Sequence, residues 1–160
     1  MLQGCAAIDL EWRDQETNMI AVSYSIADAL VERLRTRPTP FSPIIVASFL
    51  ESGKTEKFSN FGRMMSDFIA SRMSMNGFRV VEAKPGGRLQ LVKDGDDLMV
   101  SGENPGGTVH LKAQAIVIGT YTRSEKGIYV STRMIRADNH LIISSVDLHL
   151  PLSYELMFLL

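Results

Sequence analysis

Cysteine, charge of one sign and long apolar runs are all scarce in these 160 residues. The single cysteine, Cys5, excludes an internal disulfide, so the fold must rest on its apolar core and backbone hydrogen bonds. Seventeen Lys and Arg against 18 Asp and Glu give a formal net charge of −1, which removes the one-signed field that would draw nucleic acid to the surface. No stretch reaches the roughly 20 apolar residues of a membrane-spanning helix, and no apolar signal-peptide core opens the sequence. Chemistry-bearing motifs are also missing. His110, His140 and His149 stand far apart and fit no metal-ligand spacing, so they read as loop and strand-edge histidines. Asp94, Asp96 and Asp97 resemble the start of a calcium loop, but the twelfth position is Pro105 where a glutamate is required. The run from Gly102 to Gly107 lacks the Gly-Lys-Ser/Thr ending that brings a lysine to phosphates, and no Gly-x-Ser-x-Gly elbow presents a serine. These absences predict a protein that is not an enzyme and carries no cofactor or metal.

What is present suits one globular domain. A 45% hydrophobic and 22% charged composition over this length can bury a core without a second domain. Met19, Val22, Ile26, Ala29, Leu30 and Leu34 recur at three and four, which predicts an amphipathic helix capped by Thr17 or Asn18. Arg33, Arg35 and Arg37 crowd its end, and Pro38 and Pro40 stop it. Ile44 to Phe49 is a β-branched apolar run, read as a central strand covered on both faces. After a polar loop from Glu51 to Lys57, Ser59 is placed to cap a second helix bearing Phe61, Met64, Met65, Phe68, Ile69 and Met73. Its methionines could form an adaptable binding surface, although core packing is the plainer reading. Asn76 and Gly77 end that helix, and a strand follows from Phe78 to Glu82, implying a right-handed crossover.

Arg88 to Lys93 reads as part of a hairpin, and 94–107 as surface loops around a short apolar piece at Leu98, Met99 and Val100. Ala115 to Thr122, Gly127 to Ala137 and Leu141 to Leu150 form an antiparallel meander, with Ile128, Val130, Thr132 and Met134 alternating against Tyr129, Ser131 and Arg133. The apolar tail from Tyr154 to Leu160 either docks as a last helical turn or was cut short. The expected fold is therefore α+β or α/β: a mixed sheet with two amphipathic helices packed on it, a β-α-β start and a C-terminal antiparallel meander. Gly62 in the first turn of the second helix predicts close packing on the sheet. Gly119 inside a strand predicts a bulge or a close neighbour, with Tyr121 covering the gap.

Leu2, Gln3, Gly4 and Cys5 have the Leu-x-Gly-Cys form of a bacterial lipobox, in which the cysteine thiol carries lipid. Only Met1 precedes the motif, so either the natural start lies upstream or the match is fortuitous. On the first alternative, residues 1–16 are a lipobox-like segment and polar tether, with Trp12 packing back on the domain, and residues 17–160 are the single folded domain.

Four ordered blocks carry a family resemblance: Ser59 to Asp67 (SNFGRMMSD), Gly77 to Glu82 (GFRVVE), Ala115 to Tyr121 (AIVIGTY) and Tyr129 to Ile135 (YVSTRMI). Together they resemble the FlgO family across roughly Ala21 to Val146. The resemblance implies an outer-membrane lipoprotein tied to the bacterial flagellum, facing the periplasm, lipidated at Cys5, and acting through contacts with envelope or flagellar proteins or with further copies of itself. Arg63 and Arg133, which lie in these blocks, could present an interaction surface or pair with Asp67 or Glu82. Related α/β domains occur in envelope lipoproteins of secretion and of cell-wall synthase regulation, a second reading of the same kind. A small-molecule or nucleotide-binding domain using the crevice at the strand ends is the rival from another class.

Overall fold

A computed structural model describes residues 17–32, 34, 42–54, 59–83, 89–91, 98–101, 108–111 and 113–160. Cys5, Trp12, the arginines at 33, 35 and 37, Pro38, Pro40 and the turn-rich runs 92–97 and 102–107 lie outside them, as do the side chains of 84–112. In chain order the elements are α1 (Met19–Glu32), β1 (Ile44–Ala47), β2 (Leu50–Glu51), α2 (Asn60–Met75), β3 (Val80–Ala83), β4 (Leu89–Leu91), β5 (Leu98–Ser101), β6 (Thr108–Leu111), β7 (Ala115–Ser124), β8 (Gly127–Arg136), β9 (Ile142–Pro151) and α3 (Tyr154–Leu159). The fold is α+β. A mixed six-stranded sheet runs β3-β1-β7-β8-β9, with β2 paired to β7.

Strand β1 pairs in parallel with both β3 and β7, so the expected β-α-β start is present and β1 is interior. Its alternation explains the unbroken apolar run. Ile44 and Val46 enter the large core under the helices, whereas Ile45 enters a smaller cluster with Ala113, Ile116 and Ala137 on the other face. Strands β7, β8 and β9 form the antiparallel meander, within two residues of the predicted bounds. A register shift near Met134 and Ile135 places Ser144 opposite one and Ile142 opposite the other, which leaves Ile143 as the extra residue of a bulge. On β8, Ile128, Val130, Thr132 and Met134 are buried as predicted. The Thr132 hydroxyl has no hydrogen-bond partner there, a cost that a purely apolar side chain would avoid.

Three details depart from the sequence reading. The buried stripe of α1 includes Ser23, Ala27 and Val31, while Ala29 is exposed. Ser23 fits because its hydroxyl returns to the Met19 carbonyl at 2.7 Å and meets Met65 Sδ at 3.3 Å, letting the helices approach closely. The polar loop after β1 begins with a short strand, β2, held in parallel to β7 and extended by Ser52 N–H donating to the Tyr121 carbonyl at 2.8 Å. Finally, the stretch read as surface loops contains β5, which pairs antiparallel with β4 on one side and β6 on the other in a separate three-stranded sheet. Strands of three and four residues are too short for a period of two to stand out in sequence.

The starts of α1 and α2 and the end of α2 follow their predicted chemistry. Asn18 Oδ1 accepts from Ala21 N–H at 3.0 Å, and Ser59 Oγ accepts from Gly62 N–H at 2.9 Å. Gly77, at φ +88°, closes α2, with Phe78 N–H bonded to the Met73 carbonyl. A clasp joins the two long helices. Arg72 holds Asp28 with two hydrogen bonds of 2.9 and 2.8 Å, Asn76 donates to the same carboxylate at 2.7 Å, and the guanidinium lies over the Tyr24 ring. The bond to Asp28 raises the Arg72 pKa above its ordinary value.

The tail docks as the short helix α3, as the first of the two sequence readings expected. Leu156 is buried, and Leu152, Leu159 and Leu160 pack on the main core. Arg123 at the end of β7 reaches both Glu51 and the carbonyl of Leu160. Glu51, whose side chain is 12% exposed, also holds Lys54 at 2.9 Å. The hydrogen bond from Lys54, followed by the nearby Arg123 charge, lowers the Glu51 pKa despite partial desolvation.

At the centre sits Phe49, fully buried between two glycines. A Cβ added to Gly62 would lie 2.1 Å from the Phe49 carbonyl oxygen, and one added to Gly119 would lie 2.3 Å from the Phe49 ring. Both predicted close approaches are present, and the residue filling the gap at Gly119 is Phe49. Tyr121 instead meets Phe61 edge-on at 5.0 Å and donates its hydroxyl to Ser59 Oγ at 2.7 Å.

Gly119→Ala is expected to destabilise the protein by about 1–3 kcal/mol through overpacking, and Phe49→Ala by about 3–5 kcal/mol. In urea unfolding the double variant should lose clearly less than the sum of the two, because removing the ring makes room for the new methyl; strict additivity would refute the wedge. The lowered Glu51 pKa gives a second expectation. Its contribution is fully present above the unfolded-state pKa and is lost as pH falls through the lower folded-state value. Glu51→Gln should therefore flatten the acid side of the stability–pH curve, read as Tm between pH 6 and the acid range below the ordinary glutamate value.

Candidate interaction surface

The meander alternates strictly enough to produce two different faces. Inward residues of β7, β8 and β9 meet α1 and the core, while Ile118, Thr120 and Thr122, then Tyr129 and Arg133, then Ser145, Asp147 and His149 are exposed on the other side. Register sets who meets whom. Tyr129 lies opposite His149, Ser131 opposite both Thr120 and Asp147, and Arg133 opposite both Ile118 and Ser145. The Tyr129 and His149 rings sit 4.7 Å apart at 48°. Together these side chains floor an open groove of about 340 Å³ lined by Thr120, Thr122, Tyr129, Ser131, Asp147 and His149, with Val130 and Leu148.

The groove offers separate hydroxyl, carboxylate, imidazole and phenol groups. No hydrogen bond joins Ser131, Asp147 and His149 to one another among the described residues, so they do not form an assembled nucleophile relay. Their exposure on a rigid three-stranded platform suits contact with another surface, and Tyr and Arg are the residue types that most often carry such contacts. Arg133 is exposed two residues beyond Ser131 on the same face of β8, outside the groove's lining. Arg63 is also exposed, but on α2, in the helical layer across the sheet. The structure thus does not unite the two arginines in one surface, and neither forms an ion pair with Asp67 or Glu82. Cys5 lies outside the described residues.

Two other depressions are present among the described residues. One of about 650 Å³ lies between α2 and β3, lined by Ala70, Ser71, Ser74, Val80 and Glu82. Another, about 440 Å³, lies where the start of α1 meets α2 and α3. No group of three or more His, Cys, Asp or Glu able to hold a metal is found among the described residues. At the strand-end position where parallel α/β folds commonly receive ligands, the first turn of α2 is filled from within: Ser59 takes the Gly62 N–H, and Phe49 N–H donates to the Gly62 carbonyl at 3.2 Å.

A family model described as FlgO protein matches residues 24–155. The chain belongs to the FlgO family. In this FlgO-family chain, the first and third blocks that carried the sequence resemblance meet in the Phe49 wedge, through Ser59, Phe61 and Gly62 on one side and Gly119 and Tyr121 on the other. The block from Tyr129 to Ile135 instead supplies the outer groove. Among solved structures, the LpoB C-terminal domain from Salmonella enterica is similar at 13% identity, covering 81% of this chain and 98% of that chain with a TM-score of 0.46. A search of curated proteins gives no match. No helix among the described residues of this FlgO-family chain is long and apolar enough to cross a membrane.

The alternation of Tyr129, Ser131 and Arg133 was visible in the sequence. Asp147 and His149 joined them only through strand register, which no local pattern specifies. Arg63→Ala and Arg133→Ala should each change unfolding free energy by less than about 0.5 kcal/mol, as expected for exposed residues that hold no partner. Chemical denaturation of the purified variants checks this.

Proposed function

We propose that this protein is a lipid-anchored component of the bacterial envelope that supports flagellar assembly, the stability of the flagellum at the outer membrane, or motility. It acts on the periplasmic face through protein–protein contacts, with no catalytic step and no cofactor. Membership of the FlgO family over residues 24–155 is the observation that carries this reading. The Leu-x-Gly-Cys motif at Leu2 to Cys5 supports an anchor, the residues before Thr17 serving as its tether. The outer groove around Tyr129, with Arg133 further along the same sheet face, supplies the contact face, toward envelope or flagellar proteins or a further copy of this chain.

Expression from the natural upstream start, followed by fractionation and mass spectrometry of the mature N-terminus, should find diacylglycerol on Cys5 in the outer-membrane fraction. An unmodified Cys5 in the cytosol would overturn the envelope reading. Deleting the gene should impair swimming or leave flagella unstable at the outer membrane; intact flagella and normal swimming would sink the motility role while leaving the anchor untouched.

A further inference from the structure

The helical layer carries an apolar ridge that the contact face does not use. Tyr154 is 75% exposed, Phe158 72%, Met157 50% and Ile20 48%. These are not the side chains of a loosely attached end. Leu156 buries the opposite side of α3, Leu159 and Leu160 pack on the core, and Ser153 Oγ caps the helix by accepting from Leu156 N–H at 3.2 Å. The exposed rings of Tyr154 and Phe158 meet each other edge-on at 5.2 Å. A firmly seated helix thus holds its aromatic residues out into solvent, where an apolar patch marks a contact site.

We infer that this ridge, Tyr154, Met157 and Phe158 of α3 with Ile20 of α1, is a phospholipid-docking surface that lays the domain against the bilayer holding its tether. The inference rests on the lipid-anchor reading above. What selects a bilayer is the place where the tether enters. Thr17 and Asn18 line the same groove as Ile20 and as Glu155 of α3, so the chain running back to Cys5 leaves the domain beside the ridge. Eleven residues lie between Cys5 and Thr17, so the two are at most roughly 40 Å of extended chain apart. An anchored domain is therefore confined near the membrane with the ridge close to its attachment point, and tethering of this kind strengthens weak contacts by about 10²–10⁴-fold.

The chemistry around the ridge specifies the kind of lipid contact. Among the described residues no Lys or Arg lines the adjoining groove, Glu155 is the ionisable group there, and Arg123 near the end of α3 is engaged by Glu51 and the Leu160 carbonyl. The described side chains lining the groove thus offer anionic headgroups no cation. Docking proceeds by apolar and aromatic side chains entering the interface, with tyrosine at headgroup depth. Zwitterionic phospholipid suffices, and salt has little effect. Because the ridge belongs to the helical layer and the Tyr129 groove to the opposite sheet face, docking leaves the groove open to protein.

The single cysteine permits a direct test. The full chain is coupled through Cys5 to phosphatidylcholine vesicles bearing a small fraction of maleimide headgroups, and amide hydrogen exchange is compared with that of the free protein. Coupling should slow exchange in α3 and around Ile20, equally at low and high salt, and Met157→Ser/Phe158→Ser should abolish the protection with Tm unchanged. Unaltered exchange on coupling would overturn the proposal. So would protection that rises with concentration in the free protein, which would assign the ridge to a second copy. Since the coupling is chemical, a negative result here is distinct from failure to find lipid on Cys5 in cells.

Discussion

The Phe49 wedge is the contact on which the rest of the arrangement depends. Its backbone lies so close to Gly62 that α2 can start only where it does, and its ring occupies the space above Gly119, fixing β7 beneath. One residue thus meets the helix through its backbone and the strand through its side chain. Ser59 and Tyr121 reinforce the joint with a hydrogen bond, and the Phe61 ring closes it from the side. Everything C-terminal to β7 inherits its placement from this point, because β8 and β9 are laid down in register on β7.

The wedge also clarifies what the family resemblance reports. The blocks around Gly62 and Gly119 encode a packing joint, and they say more about fold than about partners. The outer groove draws on a different block. Its residues alternate with the core positions of the same strand, Tyr129 and Arg133 outward, Val130 and Thr132 inward. Of the blocks that carry the resemblance, two therefore build the joint and one also supplies surface chemistry.

Much of the fold was legible because its signals are local. Helix α2 has a capping serine, an apolar stripe at helical spacing and a glycine stop, and each reads correctly by itself. The meander was legible through β-branched runs divided by turn residues. What stayed hidden depended on partners far along the chain. Ser23 reads as polar until Met65 is brought against it. Strand β2 needs β7 beside it to exist at all. Of the small sheet only β4 was foreshadowed, in the hairpin read at Arg88 to Lys93; β5 and β6 are too short to show a period. Of the candidate site, Arg133 and Tyr129 were readable, but their association with Asp147 and His149, and their separation from Arg63, are products of register and layering.

The Asp28–Arg72–Asn76 clasp has a mechanical consequence. Helix α1 is where the N-terminal segment enters the domain, and it lies against α2, β8 and β9. Any pull transmitted along that segment arrives at the first turn of α1, and a component along the helix axis would have to slide it past its neighbours. The clasp lies past the midpoint of α1 and joins it to the last turn of α2, so it opposes that sliding at the end remote from the load. Asp28 and Arg72 thereby couple a load on α1 to α2 as well as to the sheet beneath it.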